Sequence, residues 1–166
     1  HGLTATTHIL KTRMGRLQNG IDMSTSLENE YLCLRIARGF GFDVANAWIE
    51  TFADVDALVV ERFDRIVSGN RRLRLPQEDF CQALGVASTQ KYEQEGGPSI
   101  VSCLDLLIGS SRASDDRETF FAAQLLFWML GATDGHAKNF SLFLGPGGYR
   151  MTPLYDILSA DPALSS

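Results

Sequence analysis

With 166 residues, 45% of them apolar and 21% charged, the chain is long enough to bury a core and too apolar to be disordered. Its formal net charge of -5 argues against a duplex-wrapping surface, which needs a basic excess. No apolar run reaches the roughly 20 residues that cross a bilayer, "FFAAQLLFWMLGA" coming nearest, and no signal peptide is visible, so a cytoplasmic protein without membrane contact is expected.

Thr6 to Thr12 (TTHILKT) is β-branched and apolar and predicts a strand that carries Lys11. Residues 13–26, with two glycines, Asn19 and three Ser or Thr, predict a loop whose Ser24, Thr25 or Ser26 caps a helix. That helix, Leu27 to Phe40, stops at Gly39 or Gly41. On its wheel Glu28 falls beside Arg35 on a wet face. Glu30 falls between Leu27, Leu34 and Ala37, where an unpaired carboxylate is costly. Lys11 offers it a partner, and the alternative is an exposed position at the helix edge.

AWIETF (47–52) and ALVVERFDR (57–65) predict two strands around the turn-like ADVD, and LPQEDFCQALG (75–85) predicts a helix with proline and acid in its first turn. Residues 87–99 form a polar loop. IVSCLDLLIGSS (100–111) and RETFFAAQLLFWMLG (117–131) predict helices, the second apolar nearly all round and therefore buried at the centre. NFSLFL and YRMTPLYD flank GPGG as a hairpin. Strands first and helices later give an α+β fold. Both ends are abrupt, so the chain is expected to be a fragment.

Cys33, Cys81 and Cys103 show no ligand spacing and predict buried free thiols in a reducing compartment. Arg65, Arg71, Arg72 and Arg74 form a local basic run, read as a solvated loop or strand face.

The chemistry concentrates in GATDGHAKNFSLFLGPGGYRMTPLYDILSA (131–160). Asp134 and Asn139 follow a buried helix, and the hairpin returns Asp156 beside them. A phosphoryl-transfer site needs a carboxylate to receive a hydroxyl proton and hard oxygen ligands for magnesium. Asp134 suits the first task; Asn139 and Asp156 suit the second. The competing account is a capping aspartate with ordinary turn residues. His136 belongs to the nucleotide site, ordering the loop by bonding a carboxylate or backbone carbonyl, or is purely structural, and Lys138 touches the γ-phosphate or points to solvent. Lys11 matches the third-strand lysine of protein kinases, and Glu30 its helix partner.

The blocks TTHILK, ENEYLCLRIA, LVVERFDR, LPQEDFCQALG, KYEQEGGP, GATDGHAKNFSLFL and MTPLYDILSA, in this order, resemble the HipA-like toxin kinases of bacterial toxin–antitoxin modules. The resemblance implies a protein-kinase-like core, with a partial N-lobe and nucleotide hinge over 1–65 and a helical C-lobe over 66–166. It implies an ATP- and magnesium-dependent serine/threonine kinase that arrests growth and promotes persistence by phosphorylating an aminoacyl-tRNA synthetase, notably glutamyl-tRNA synthetase. Its implied partner is a HipB-like helix-turn-helix antitoxin, through which DNA is bound. Carried over by position, Asp134 is the catalytic base, Asn139 and Asp156 bind magnesium, and Lys11 pairs phosphates. Glu61 and Phe63 receive adenine on their main chain, with Asp64 close to the nucleotide.

The histidine follows the catalytic aspartate instead of preceding it, and Ile157 and Leu158 stand where eukaryote-type kinases carry Phe and Gly; the HipA-like group shares both features. No glycine-rich phosphate loop precedes TTHILK, and the helices expected after YDILSA are not in this sequence. Two other expectations therefore stay open: a catalytically incomplete fragment that binds an antitoxin or DNA complex, and a kinase for lipids or small molecules.

Overall fold

The computed structural model of the chain describes residues 5–18 and 20–160. Asn19 of the predicted loop, the first four residues and the terminal DPALSS lie outside the described residues.

Strand β1 (His8–Thr12) leads through two short strands, β2 (Gly15–Arg16) and β3 (Asp22–Met23), to helix α1 (Ser26–Gly39). The stretch predicted as plain loop thus contains a small ribbon, because β2 and β3 pair with each other. Thr25 occupies the N-cap without a side-chain bond. The Ser26 hydroxyl instead accepts the Met14 N–H at 3.1 Å, tying the helix start to the ribbon. At the other end Gly41 is left-handed (φ +92), while Gly41 N–H donates to Arg38 and Phe42 N–H to Ala37. This is the glycine stop expected, in Schellman form.

Strands β4 (Ala47–Phe52) and β5 (Val55–Glu61) follow, and the first sheet has the order β1-β5-β4, antiparallel throughout. Central β5 buries four consecutive residues, Ala57 to Val60, because both of its faces are covered. The strand predicted to run on to Arg65 breaks after Glu61. A turn intervenes, and β6 (Arg65–Ser68) pairs with β7 (Arg71–Arg74) as a separate ribbon. Arg71, Arg72 and Arg74 are exposed on it, as a solvated strand face requires, but Arg65, expected in the same solvated run, has a side chain only 6% exposed because its guanidinium turns inward to Asp64.

The helix predicted over 75–85 is mostly something else. Gln77–Asp79 forms β8 and pairs with β9, leaving only Phe80–Ala83 as α2, capped by Asp79 and Gln82 in a reciprocal box. The cause is long-range: a free sheet edge recruits residues that locally favour a helix. Helix α3 (Ile100–Leu106) and α4 (Ala113–Met129) come next, then β9 (Ser141–Gly145) and β10 (Gly148–Met151), which form the predicted hairpin and the sheet β10-β9-β8.

Helix α4 buries Phe120, Ala123, Leu126 and Phe127, but Phe121, Leu125, Trp128 and Met129 are exposed. It is half-buried, not the central helix its composition predicts. The core beneath the polar loop is aromatic. Phe140 packs against Phe80, Phe120 and Phe127 with centroids 4.8 to 5.7 Å apart. A smaller cluster of Leu27, Ala45, Leu58 and Val60 sits under the first sheet.

The three cysteines are buried and unpaired, and burial pushes the Cys103 thiol up to about 12. Among the described residues no helix is long and apolar enough to cross a membrane.

Candidate active site

Lys11 projects from β1, opposite Leu58 of β5, toward α1. Its ammonium donates to Glu30 Oε1 at 2.7 Å and also to Asp156 Oδ1. Glu30 is only 5% exposed, which is why it requires the lysine. Burial pushes the Glu30 carboxyl up, with Lys11 opposing. For Lys11 burial pulls down, but its two carboxylate neighbours outweigh it, so the amine is held above its ordinary value and stays cationic at neutral pH. Glu28, expected beside Arg35, is instead held by Arg13 through both carboxylate oxygens. Arg35 turns to the Tyr31 hydroxyl.

Asp156 adopts the left-handed region (φ +57), an unusual state for a residue with a Cβ. Its neighbours hold it there. The Asn139 amide donates to the Asp156 carbonyl at 3.3 Å, and the Tyr155 hydroxyl lies 2.6 Å from Ser141 Oγ and 3.0 Å from the Lys138 carbonyl. Burial pushes the Tyr155 phenol up to about 12, so it remains a neutral hydrogen-bonding group.

The loop itself begins where α4 stops. Gly131 (φ +60) donates to the Trp128 carbonyl and Ala132 to that of Phe127, a second Schellman stop. A Cβ at Gly135 would lie 2.5 Å from the Phe127 ring, so only glycine passes there. His136 N–H donates to Asn139 Oδ1 at 3.3 Å, closing the 3₁₀ turn Ala137–Asn139. The apolar β9 residues thus anchor a polar turn through main-chain and amide bonds.

A cavity of about 240 Å³ adjoins these groups, lined by Ile9, Val60, Phe63 and Tyr155 together with Lys11, Glu30 and Asp156. Glu61 and Asp64 also border it. The Glu61 N–H is donated to the Asn46 carbonyl at 2.8 Å. The Asp64 side chain is 8% exposed and accepts from both Arg62 and Arg65. Burial pushes the Asp64 carboxyl up, but those bonds outweigh it and hold it below its ordinary value. Its stabilisation is therefore complete above the unfolded value near pH 4 and is lost as pH falls through the lower folded value. Asp64→Asn in the full-length protein should cost roughly 3 kcal/mol at pH 7, with the gap narrowing below about pH 4. Urea denaturation across pH checks this; a gap that does not narrow in acid contradicts it.

Of the residues singled out in the sequence, Lys11, Glu61, Phe63, Asp64 and Asp156 share this cavity, with Asn139 bonded to Asp156. Lys138 and His136, expected at the nucleotide, do not line it: the Lys138 ammonium is held by Asp79 Oδ2 at 2.6 Å, and the His136 ring is buried edge-on to Tyr92. Among the described residues Asp134 reaches Asn139 by way of His136, whose main-chain N–H donates to the Asp134 carbonyl at 2.9 Å and to Asn139 Oδ1 at 3.3 Å. The Asp134 carboxylate also accepts from the Tyr92 hydroxyl, a contact hidden in the polar loop 87–99. Asp79 and Tyr92 carry no local signal that would have marked them as partners of this loop.

The donor set fits magnesium. Asn139 and Asp156 carry hard oxygens and are tied together by the Asn139 amide donating to the Asp156 main-chain carbonyl, while Asn139 Oδ1 accepts from the His136 N–H and Asp156 Oδ1 from Lys11; among the described residues no cluster of three His, Cys, Asp or Glu forms a closed metal cage. Magnesium takes few protein oxygens and keeps water and phosphate in the rest of its shell.

A profile of the HipA-like C-terminal domain matches residues 1–166. The Sinorhizobium fredii protein named "Putative kinase Y4mE" is 41% identical over 165 residues, covering 97% of this chain and 38% of its own length. The Shewanella oneidensis serine/threonine-protein kinase toxin HipA is 39% identical over 147 residues, covering 80% of this chain and 34% of its own length. A solved complex of Shewanella oneidensis HipA with HipB and its operator DNA superimposes with a TM-score of 0.83 at 31% identity, over 95% of this chain and 38% of that one. The chain therefore spans just over a third of the length of the curated relatives it matches. The superposition shows a shared α+β fold, and the profile match over residues 1–166 shows that the chain belongs to the HipA-like C-terminal domain family.

Proposed function

We propose that this chain is the nucleotide-binding and catalytic part of an ATP- and magnesium-dependent serine/threonine protein kinase. The full-length protein would act as a cytoplasmic HipA-like toxin that arrests growth and promotes persistence. Its acceptor would be an aminoacyl-tRNA synthetase such as glutamyl-tRNA synthetase. A HipB-like helix-turn-helix antitoxin would restrain it and carry the DNA contact. The observation that carries the reading is the Lys11 ammonium, shared between buried Glu30 and Asp156 at the edge of an apolar cavity.

In this reading residues 1–65 act as N-lobe and hinge and 66–166 as C-lobe; the small core under the first sheet supports the division, while Cys33, Leu34, Ala37 and Val44 join the first part to the larger core of the second. Adenine lies against Ile9, Val60 and Phe63, with the Glu61 carbonyl and Phe63 N–H as its main-chain partners. Lys11 pairs the α and β phosphates, and Glu30 keeps it aimed. Asn139 and Asp156 hold magnesium, which when bound neutralises charge on the phosphate oxygens. As the acceptor oxygen bonds to the γ-phosphorus and the bond to ADP breaks, Asp134 takes the hydroxyl proton. His136 and Lys138 shape the loop from behind.

With labelled ATP and magnesium, the full-length protein should transfer label to serine or threonine of proteins in a cell lysate, and none to phosphoinositides or aminoglycosides. Transfer to either small acceptor and not to protein would overturn the choice of substrate class.

A further inference from the structure

Three groups approach Asp134, and all three approach the same oxygen. The Tyr92 hydroxyl donates to Oδ1, Lys91 Nζ lies 3.7 Å from Oδ1, and His136 Nε2 lies 3.5 Å from it, too far for a hydrogen bond. The side chain is nonetheless 57% exposed. We propose that Tyr92, supported by Lys91, is a positioning residue for Asp134: it anchors Oδ1 and so presents Oδ2 to the acceptor hydroxyl. This rests on the reading of Asp134 as the catalytic base.

Tyr92 is built in place. Its carbonyl accepts from both Glu95 N–H at 3.0 Å and Gly97 N–H at 2.9 Å. Gly96 is left-handed (φ +85), and a Cβ at Gly97 would sit 2.4 Å from the Gln90 carbonyl oxygen and 2.7 Å from that of Tyr92. Two glycines therefore let the chain close tightly around this one residue. The ring stands edge-on to His136 with centroids 5.1 Å apart, and the Lys91 ammonium lies 4.8 Å from the Tyr92 centroid.

His136 completes the clamp as a wall. Its side chain is 8% exposed, and neither ring nitrogen has a hydrogen-bond partner among the described residues. The bond to Asp134, followed by burial, raises the Tyr92 phenol, which keeps it a donor through the neutral range.

A half-exposed tyrosine–carboxylate bond contributes little to stability, whereas fixing the direction of a base affects rate steeply: a misplacement of about 1 Å can cost roughly 10²-fold. The two roles therefore separate experimentally. In the full-length kinase, Tyr92→Phe should lower kcat about tenfold while KM for ATP and the calorimetric Kd for MgATP stay within about twofold. Fluorotyrosine at position 92, which keeps the hydroxyl, should restore kcat. An unchanged or raised kcat in Tyr92→Phe overturns the inference, as does loss of MgATP binding in parallel with rate, which marks a structural role. Asp134→Asn is run alongside. If it keeps full transfer, the base assignment itself falls and the inference with it; if it is inactive while Tyr92→Phe keeps full rate, only the role of Tyr92 falls.

Discussion

Asp134→Ala in the full-length protein should abolish measurable phosphoryl transfer, because loss of a positioned general base costs about 10² to 10⁴ in rate. The fold should survive. The Asp134 side chain is 57% exposed and bonds chiefly to Tyr92, so truncation leaves no buried charge behind and should change stability by about 1 kcal/mol or less. MgATP binding should also persist, since the carboxylate does not border the cavity that Lys11 and Asp156 share. Quantifying label transfer next to calorimetric ATP binding tests both halves. Transfer that persists in the alanine variant rules out the assigned base.

Asp156→Ala should strike binding, not only rate. Wild-type full-length protein should bind ATP more tightly with magnesium than with chelator, and in the variant the two isotherms should coincide, since a lost metal clamp is worth several kcal/mol. Two local effects accompany the loss. Lys11 keeps Glu30 but loses its second carboxylate. Alanine also tolerates φ +57 less well than aspartate. Asp156→Gly separates these, because glycine removes the ligand without the strain. If either variant retains the full magnesium enhancement, Asp156 does not hold the metal.

The outcomes at particular residues show what kind of information each level carried. Glu30 was legible because helical periodicity put a carboxylate among Leu27, Leu34 and Ala37, and burial demands a partner of opposite charge; Lys11 lies at 2.7 Å. The hairpin after Asn139 was legible because GPGG sits between two apolar runs, and its register follows with Gly145 opposite Gly148. A wheel sees one helix and so puts Glu28 beside Arg35; Arg13, from the link between β1 and β2, reaches it first. Residues 77–79 locally favour a helix, and local propensity says nothing of the vacant sheet edge at β9 that recruits them. Helix α4 looked buried all round, yet composition cannot show which faces have neighbours, and Phe121, Leu125, Trp128 and Met129 have few.

From the order of its residues alone, the chain dictates its α+β class, the glycine stop that ends α1, and the presence of a lysine, a buried glutamate and an Asp-Asn-Asp set. These follow from forces that act over a few residues: steric limits on φ, hydrophobic periodicity and the cost of burying charge. Only the tertiary structure decides that Asp156 meets Lys11 across 145 positions, that Asp79 holds Lys138, that two arginines hold Asp64, and that Tyr92 takes one oxygen of Asp134. Such pairings depend on which surfaces the packed elements bring within a few ångströms, a property of the whole core that short-range propensity does not encode.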